Sequence, residues 1–215
     1  MHLCVVHGWN TLLTRRLAQP LPGWDAQKLA CPPGRPKDAP GVLDKARRAG
    51  VVALICPNEA DEPCLVLMRR TRDGSPHSGQ LAFPGGAEEG VDEDDLMRTA
   101  MREMHEEVGV ELRPDQIAGP LSPLYIPPSR FWVQPYVACL AYTPSFTLQA
   151  EEVASVLMVP LTSFPEARER WPERPVSGGL YKAPGMPVDG DWLWGATAMM
   201  VAELLVLLKE TNFAP

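Results

Sequence analysis

Three carboxylates and one guanidinium stand close together near the middle of the chain, at Arg102, Glu103, Glu106 and Glu107. On a helix that turns about 100° per residue, the glutamates group along one face, and Arg102 lies beside Glu106 at i,i+4. Carboxylate oxygens are the ligands that Mg²⁺ and Mn²⁺ prefer in proteins. The pattern fits a divalent-cation site or a solvated acidic face, and helix geometry alone does not separate the two.

A helix is predicted to carry these side chains from Asp94 to Val108. Gly109 would end it in a left-handed conformation, and Gly85 and Gly86 stand upstream, where the backbone must bend closely. These glycines hold the carboxylates at a defined place and favour the metal site. The stripe of the helix next to the carboxylates is apolar and is predicted to face the core: Met97, Met101, Met104 and Val108.

This loop–helix–loop resembles the motif of the Nudix hydrolases, Gly-x5-Glu-x7-Arg-Glu-apolar-x-Glu-Glu-x-Gly-apolar. The residues from Arg102 to Val110 match its second half at every specified position. The first half departs from it, because Asp94 stands at the position of the first glutamate and Glu88 at that of the glycine. A two-residue insertion in the loop would restore Gly86 as the motif glycine.

The resemblance implies a Nudix-like α/β/α sandwich with a mixed β-sheet. It also implies Mg²⁺ or Mn²⁺ as cofactor, with Glu103, Glu106 and Glu107 as metal ligands. Glu106 is the first candidate for the general base, with Arg102 orienting it. Glu151 and Glu152, just before a predicted strand, are later candidates, or solvated charges at a strand edge.

The segment before the motif resembles that of the coenzyme A pyrophosphatase subfamily. The matching units are Arg70-Thr71, His77-Ser78-Gly79-Gln80 and Phe83-Pro84-Gly85-Gly86, whereas Ser75 replaces an expected arginine. Val133-Gln134-Pro135 and Trp194–Ala198 also resemble that subfamily, so the likeness runs from Ala49 to Leu208. The substrate-binding residues predicted from this segment are Arg69, Arg70, His77, Gln80, Gly85 and Gly86.

This second resemblance implies hydrolysis of coenzyme A or its thioesters to 4′-phosphopantetheine and adenosine 3′,5′-bisphosphate. Arginines suit a substrate with a diphosphate and a further phosphate. Two alternatives stay open. One is a Nudix hydrolase of another nucleoside diphosphate derivative, such as ADP-ribose or NADH, and the other is a catalytically silent binding module of the same fold.

Strands and helices are predicted without regular alternation, as in a mixed α/β fold. The predicted strands are 51–56, 64–68, 132–142 and 153–159, with a short extended piece at 79–84. Helices are predicted at 9–17 and 193–209, and a helical turn at 42–48. The proline- and glycine-rich stretch 166–192 is interpreted as loops. Residues 1–40 form a predicted N-terminal arm with a short helix, and 41–215 the hydrolase domain.

The net charge of −7 is concentrated between Glu88 and Glu111, where ten acidic residues face two arginines. The lack of a basic stripe argues against a nucleic-acid partner. Five scattered cysteines indicate neither a disulfide framework nor a zinc site, and Cys56 and Cys139 are predicted core residues. No signal peptide or membrane span is predicted, so a cytoplasmic enzyme is expected. The arm would cover the sheet, contact a partner subunit in a homodimer, or close over substrate.

Overall fold

A computed structural model describes residues 3–35, 45–72, 74, 77–176 and 179–211. Its helices are α1 (Leu3–Leu17), α2 (Trp24–Gln27), α3 (Leu96–Val108) and α4 (Gly195–Glu210). Its strands are β1 (Arg47–Pro57), β2 (Pro63–Arg70), β3 (Leu81–Ala82), β4 (Gly85–Ala87), β5 (Ile117–Pro120), β6 (Leu124–Ile126), β7 (Phe131–Cys139), β8 (Val153–Pro160), β9 (Glu173–Val176), β10 (Tyr181–Val188) and β11 (Asp191–Trp194).

In the described residues, strands β1 to β8 form one mixed sheet around β1. β1 runs parallel to β7 along most of its length and antiparallel to β2 and β4 at its two ends. β3 and β8 extend the sheet beyond β2, whereas β5 and β6 pair with β7. β4 pairs with β1, so Gly85 and Gly86 lie beside the central strand of the sheet, and β4 contacts α3.

Helices cover both faces of the sheet, because β1 is apolar on both sides. Val52, Leu54 and Cys56 of β1 belong to a core cluster shared with α3. Ala53 and Ile55, which alternate with them, belong to a larger cluster shared with α1 and α4. This layering is the predicted α/β/α sandwich with a mixed sheet, and Cys56 and Cys139 are buried as predicted.

Most predicted elements are present with shifted ends. The strand prediction at 51–56 extends to Arg47–Pro57, and the helix predicted at 9–17 begins at Leu3. The prediction of a helical turn at 42–48 is wrong for Arg47 and Arg48, which begin β1, while residues 42–44 lie outside the described part. The C-terminal helix begins at Gly195 and not at Leu193, which lies in β11.

The prediction of loops over 166–192 is wrong, because β9, β10 and the first half of β11 lie there. The first half of β10 pairs with β9 and the second half with β11. Among the described strands, each half therefore pairs on one side only. Pro184 and Pro187 are tolerated there, since a proline needs only a position where no ladder hydrogen bond requires its N–H.

The N-terminal segment packs on the α4 side of the sheet, where Trp9, Leu13 and Leu17 are core residues. The predicted boundary between an arm of 1–40 and a domain of 41–215 falls in residues 36–44, outside the described part. None of the helices described here is long and apolar enough to cross a membrane.

Candidate active site

Helix α3 has a defined start and end, and it packs closely against β1. The Asp95 carboxylate caps its first turn by accepting a hydrogen bond from the Met97 N–H at 2.9 Å. Gly109 ends it with φ of 75°, as the sequence predicts. Gly50 of β1 permits the close approach of the helix, because a Cβ there would lie 2.2 Å from the Leu96 carbonyl oxygen. Because Asp95 is the N-cap, the helix begins at Leu96, two residues later than predicted.

Arg102 is the centre of the polar contacts on α3. Its Nε and Nη2 donate to the two carboxylate oxygens of Asp92 at 3.0 and 2.9 Å. Its Nη1 donates to Glu103 and Glu106, each at 2.9 Å. The hydrogen bonds from Arg102 lower the pKa of Asp92 to about 2, so this carboxylate is charged at neutral pH. Asp92 is buried and fixes the arginine from the side opposite the glutamates.

Asp92, and not Asp94, therefore takes the position of the first glutamate in the motif. The spacing from Gly86 to Asp92 equals the Gly-x5-Glu spacing, and the two extra residues fall between Asp92 and Arg102. Glu93 and Asp94 form this insertion with positive φ values of 55° and 61°. The Asp94 side chain is 93% exposed. Residue counting back from Arg102 missed Asp92, and counting forward from Gly86 would have found it.

The predicted metal ligands Glu103 and Glu107 lie beside the glycine strand β4. Glu107 is buried and accepts a hydrogen bond from the Gly85 N–H at 2.7 Å. Burial raises the pKa of Glu107 to about 8 and also raises the pKa of Glu103. A Cβ on Gly86 would lie 2.5 Å from the Glu103 carboxyl carbon, so only glycine leaves room for that carboxylate.

Glu106 on α3 and Glu152 in a later loop join Glu103 and Glu107 in one cluster of carboxylates, called the acidic group here. The Glu106 side chain is 54% exposed and is paired with Arg102. Glu152 precedes β8 and lies close enough to Glu103 and Glu107 to raise their pKa values electrostatically. Its backbone carbonyl accepts a hydrogen bond from the Thr71 N–H at 2.9 Å, which ties this loop to the end of β2. The fold thus brings together the predicted residues of α3 and the later loop.

The chemistry of this carboxylate group fits a hard divalent cation. Glu107 is a buried carboxylate whose neighbouring guanidinium, from Arg70, is 4.0 Å away, and a bound cation would offset the cost of its burial. Among the described residues, no three His, Cys, Asp or Glu side chains are already arranged as a metal site. Glu106 is instead hydrogen-bonded to Arg102 at 2.9 Å.

A cavity of about 610 Å³ opens next to the acidic group. Gly85, Gly86 and Arg70 belong to its wall, so the cavity and the carboxylates share β4. Its remaining lining residues are Pro32–Arg35, Ala49 and Val51 of β1, His77, Gln80–Phe83, Ile126–Ser129, Phe131, Val133, Trp194–Thr197 and Met200. The charged or titratable side chains in this lining are Arg35, Arg70 and His77, without a carboxylate.

The predicted substrate-binding residues separate into two groups. Arg70, His77, Gln80, Gly85 and Gly86 all line the cavity, where the His77 Nδ1 and Gln80 Oε1 atoms are 3.2 Å apart. Arg69 does not line it. Its guanidinium pairs instead with Asp189 and Asp191 at the β10–β11 turn. Ser75, where an arginine was expected, lies outside the described residues.

The NUDIX domain model matches residues 46–177, more than half of the chain. A peroxisomal coenzyme A diphosphatase of Caenorhabditis elegans is 33% identical over 60% of this chain, and the match spans 55% of that relative's length. An uncharacterized Nudix hydrolase, NudL, of Pectobacterium atrosepticum is 31% identical over 79% of this chain and 86% of its own length.

A solved structure of a MutT/nudix family protein from Enterococcus faecalis superposes with a TM-score of 0.53. It is 17% identical and covers 76% of this chain and 66% of that protein. At this identity the likeness concerns the fold alone, and it agrees with the mixed sheet between helices.

Proposed function

This chain belongs to the Nudix hydrolase family and is a pyrophosphatase, and on that premise we propose that it cleaves the diphosphate of coenzyme A or its thioesters. The products would be 4′-phosphopantetheine and adenosine 3′,5′-bisphosphate. The C. elegans relative carries the name of a coenzyme A diphosphatase. Hydrolases of this family generally use divalent metals, and Mg²⁺ or Mn²⁺ is the proposed cofactor here.

The observation that carries the proposal is the lining of the cavity beside the acidic group. It combines apolar side chains such as Phe83 and Phe131 with Arg35 and Arg70, and it holds no carboxylate. A ligand with an apolar portion and several anionic groups suits such a lining. Coenzyme A has both, since it joins a pantetheine chain and an adenine to a diphosphate and a 3′-phosphate.

The residues of this chain would act from fixed positions. Glu103, Glu106 and Glu107 would hold the cation, and the chemistry gained from it is neutralisation of diphosphate charge and a lower pKa for the attacking water. Arg102 would orient Glu106, the first candidate for the general base, through its 2.9 Å hydrogen bond. Glu152 is the second candidate, since it reaches the same group from another loop.

The test is turnover of coenzyme A, acetyl-coenzyme A, ADP-ribose and NADH with Mg²⁺ or Mn²⁺, followed by chromatography of the products. The wild type should release 4′-phosphopantetheine from coenzyme A faster than it cleaves ADP-ribose or NADH. Glu106→Gln should lose about 10²-fold or more in kcat, since removal of a general base has that effect. Glu111→Gln removes an exposed carboxylate of the same acidic stretch and serves as the control.

The outcomes separate the alternatives. Preference for ADP-ribose or NADH would overturn the coenzyme A assignment. If Glu152→Gln and not Glu106→Gln abolishes turnover, the general base is Glu152. Binding of coenzyme A without turnover of any compound would mean a silent binding module.

A further inference from the structure

Part of the cavity wall comes from a segment that precedes the family match. Pro32, Pro33, Gly34 and Arg35 line the cavity together with Phe131 and the first turn of α4. The NUDIX model begins only at residue 46. Residues 32–35 therefore add a wall from outside the matched domain to the proposed active site.

The residues that precede this wall in the chain are held by Glu203 of α4. Glu203 is fully buried and accepts hydrogen bonds from the Gly23 N–H at 3.0 Å and from the Gln27 side-chain amide at 3.0 Å. It also accepts one from the Ser122 N–H at 3.2 Å. Further along, the Leu29 carbonyl accepts from the Trp171 N–H at 3.3 Å. Residues 23–31 are thus attached to the same helix whose first turn lines the cavity.

Arg35 is the charged residue that this wall contributes. It is half-buried, and its Nη2 donates to the backbone carbonyl of Tyr125. No carboxylate in the part of the chain that the structure describes forms an ion pair with it. Burial lowers the pKa of Arg35, although the group stays charged at neutral pH. A guanidinium has five N–H donors, so Arg35 keeps both charge and donors for a ligand.

We propose that Arg35 binds an anionic group of the substrate other than the diphosphate and thereby determines specificity. The diphosphate belongs at the carboxylates beside Gly86. Arg35 lies elsewhere on the cavity wall, because it donates to Tyr125 of β6, and β7 and β1 separate β6 from β4. For coenzyme A this group is the 3′-phosphate, because it is the substrate's remaining phosphate. The inference rests on the proposed function.

The test compares coenzyme A with 3′-dephospho-coenzyme A, which lacks only that phosphate. Arg35→Met should raise KM for coenzyme A by about tenfold with kcat unchanged, since a hydrogen-bonded charge pair is lost. KM for 3′-dephospho-coenzyme A should not change. Arg35→Lys keeps the charge without the planar guanidinium, so its KM for coenzyme A should lie between those of the wild type and Arg35→Met. Arg113→Met, which removes an exposed arginine paired with Asp115, is the control.

Equal effects of Arg35→Met on both substrates, or no effect on either, would overturn the role of Arg35 while leaving the proposed function intact. A wild-type protein that cleaves neither compound would overturn both. Thermal unfolding of each variant separates a lost contact from a lost fold, and Arg35→Lys provides the comparison if Arg35→Met unfolds.

Discussion

Arg102 is the residue around which the acidic helix is organised. Asp92 holds one edge of its guanidinium, and Glu103 and Glu106 take the other. The positive charge of Arg102 partly offsets the mutual repulsion of the three carboxylates around it, of which Asp92 is the most deeply buried. Its charge therefore affects both the stability of the fold and the direction in which Arg102 points.

Replacement of Asp92 by Asn should lower the free energy of unfolding by about 2 kcal/mol at pH 7, the equivalent of the shift in its pKa. The folded pKa is lowered from 3.8 to about 2. The contribution is thus complete above about pH 4 and disappears as the pH falls toward 2. Urea denaturation over this pH range measures it. Asp94→Asn, on an exposed side chain, should have almost no effect, and equal effects would refute the assignment of Asp92.

Substitution of Gly86 tests the packing between β4 and the Glu103 carboxylate. In Gly86→Ala the new Cβ would lie 2.5 Å from the Glu103 carboxyl carbon. Because that carboxylate ends a flexible side chain, it should move aside with little loss of thermal stability. A displacement of about 1 Å at a catalytic group costs up to 10²-fold in rate, so kcat should fall by at least about tenfold.

Gly90→Ala is the matched control for this substitution, since a Cβ on Gly90 meets nothing within 4 Å. It should keep wild-type kcat and thermal unfolding temperature. An active Gly86→Ala variant would mean that the position of Glu103 in the structure is unimportant for turnover.

At the scale of elements, α4 connects the N-terminal segment to the cavity. Its side chains are buried almost all round, so it packs as a central helix between α1, α2 and the sheet. Glu203 is a charged residue among the fully buried positions of this helix. Its oxygens are satisfied by the Gly23 and Ser122 N–H groups and by Gln27, which explains why a carboxylate is tolerated there.

Glu203→Ala should therefore lower the free energy of unfolding by about 2–4 kcal/mol, because several buried donors lose their acceptor. The residues attached to Glu203 should also exchange their amide hydrogens faster, which hydrogen exchange at Gly23 and Ser122 would measure. Glu59→Ala, in an exposed turn, is the control and should leave both quantities unchanged. Unchanged exchange in Glu203→Ala would show that the N-terminal segment is held by its apolar contacts alone.

At the scale of the whole molecule, an acidic chain surrounds a cavity without acidic side chains. The net charge is −7, whereas the cavity lining carries two arginines and a histidine. The carboxylates lie together on the other side of β4, on α3. The carboxylates suit a cation and the arginines suit an anion. Arg70 connects the two regions, because it lines the cavity and its guanidinium lies 4.0 Å from the Glu107 carboxylate.

The sequence by itself determined the helix, its glutamates and its C-terminal glycine, since local periodicity and capping chemistry act over neighbouring residues. It also predicted the core strands, because their apolar runs allow few alternatives. Counting back from Arg102 points to Asp94 and counting forward from Gly86 points to Asp92, and the tertiary structure decided between them, because the turn at Glu93 and Asp94 brings Asp92 to Arg102. The tertiary structure alone brought Arg35 and the first turn of α4 to one cavity, because these residues are distant in sequence and only the packing of the chain brings them together.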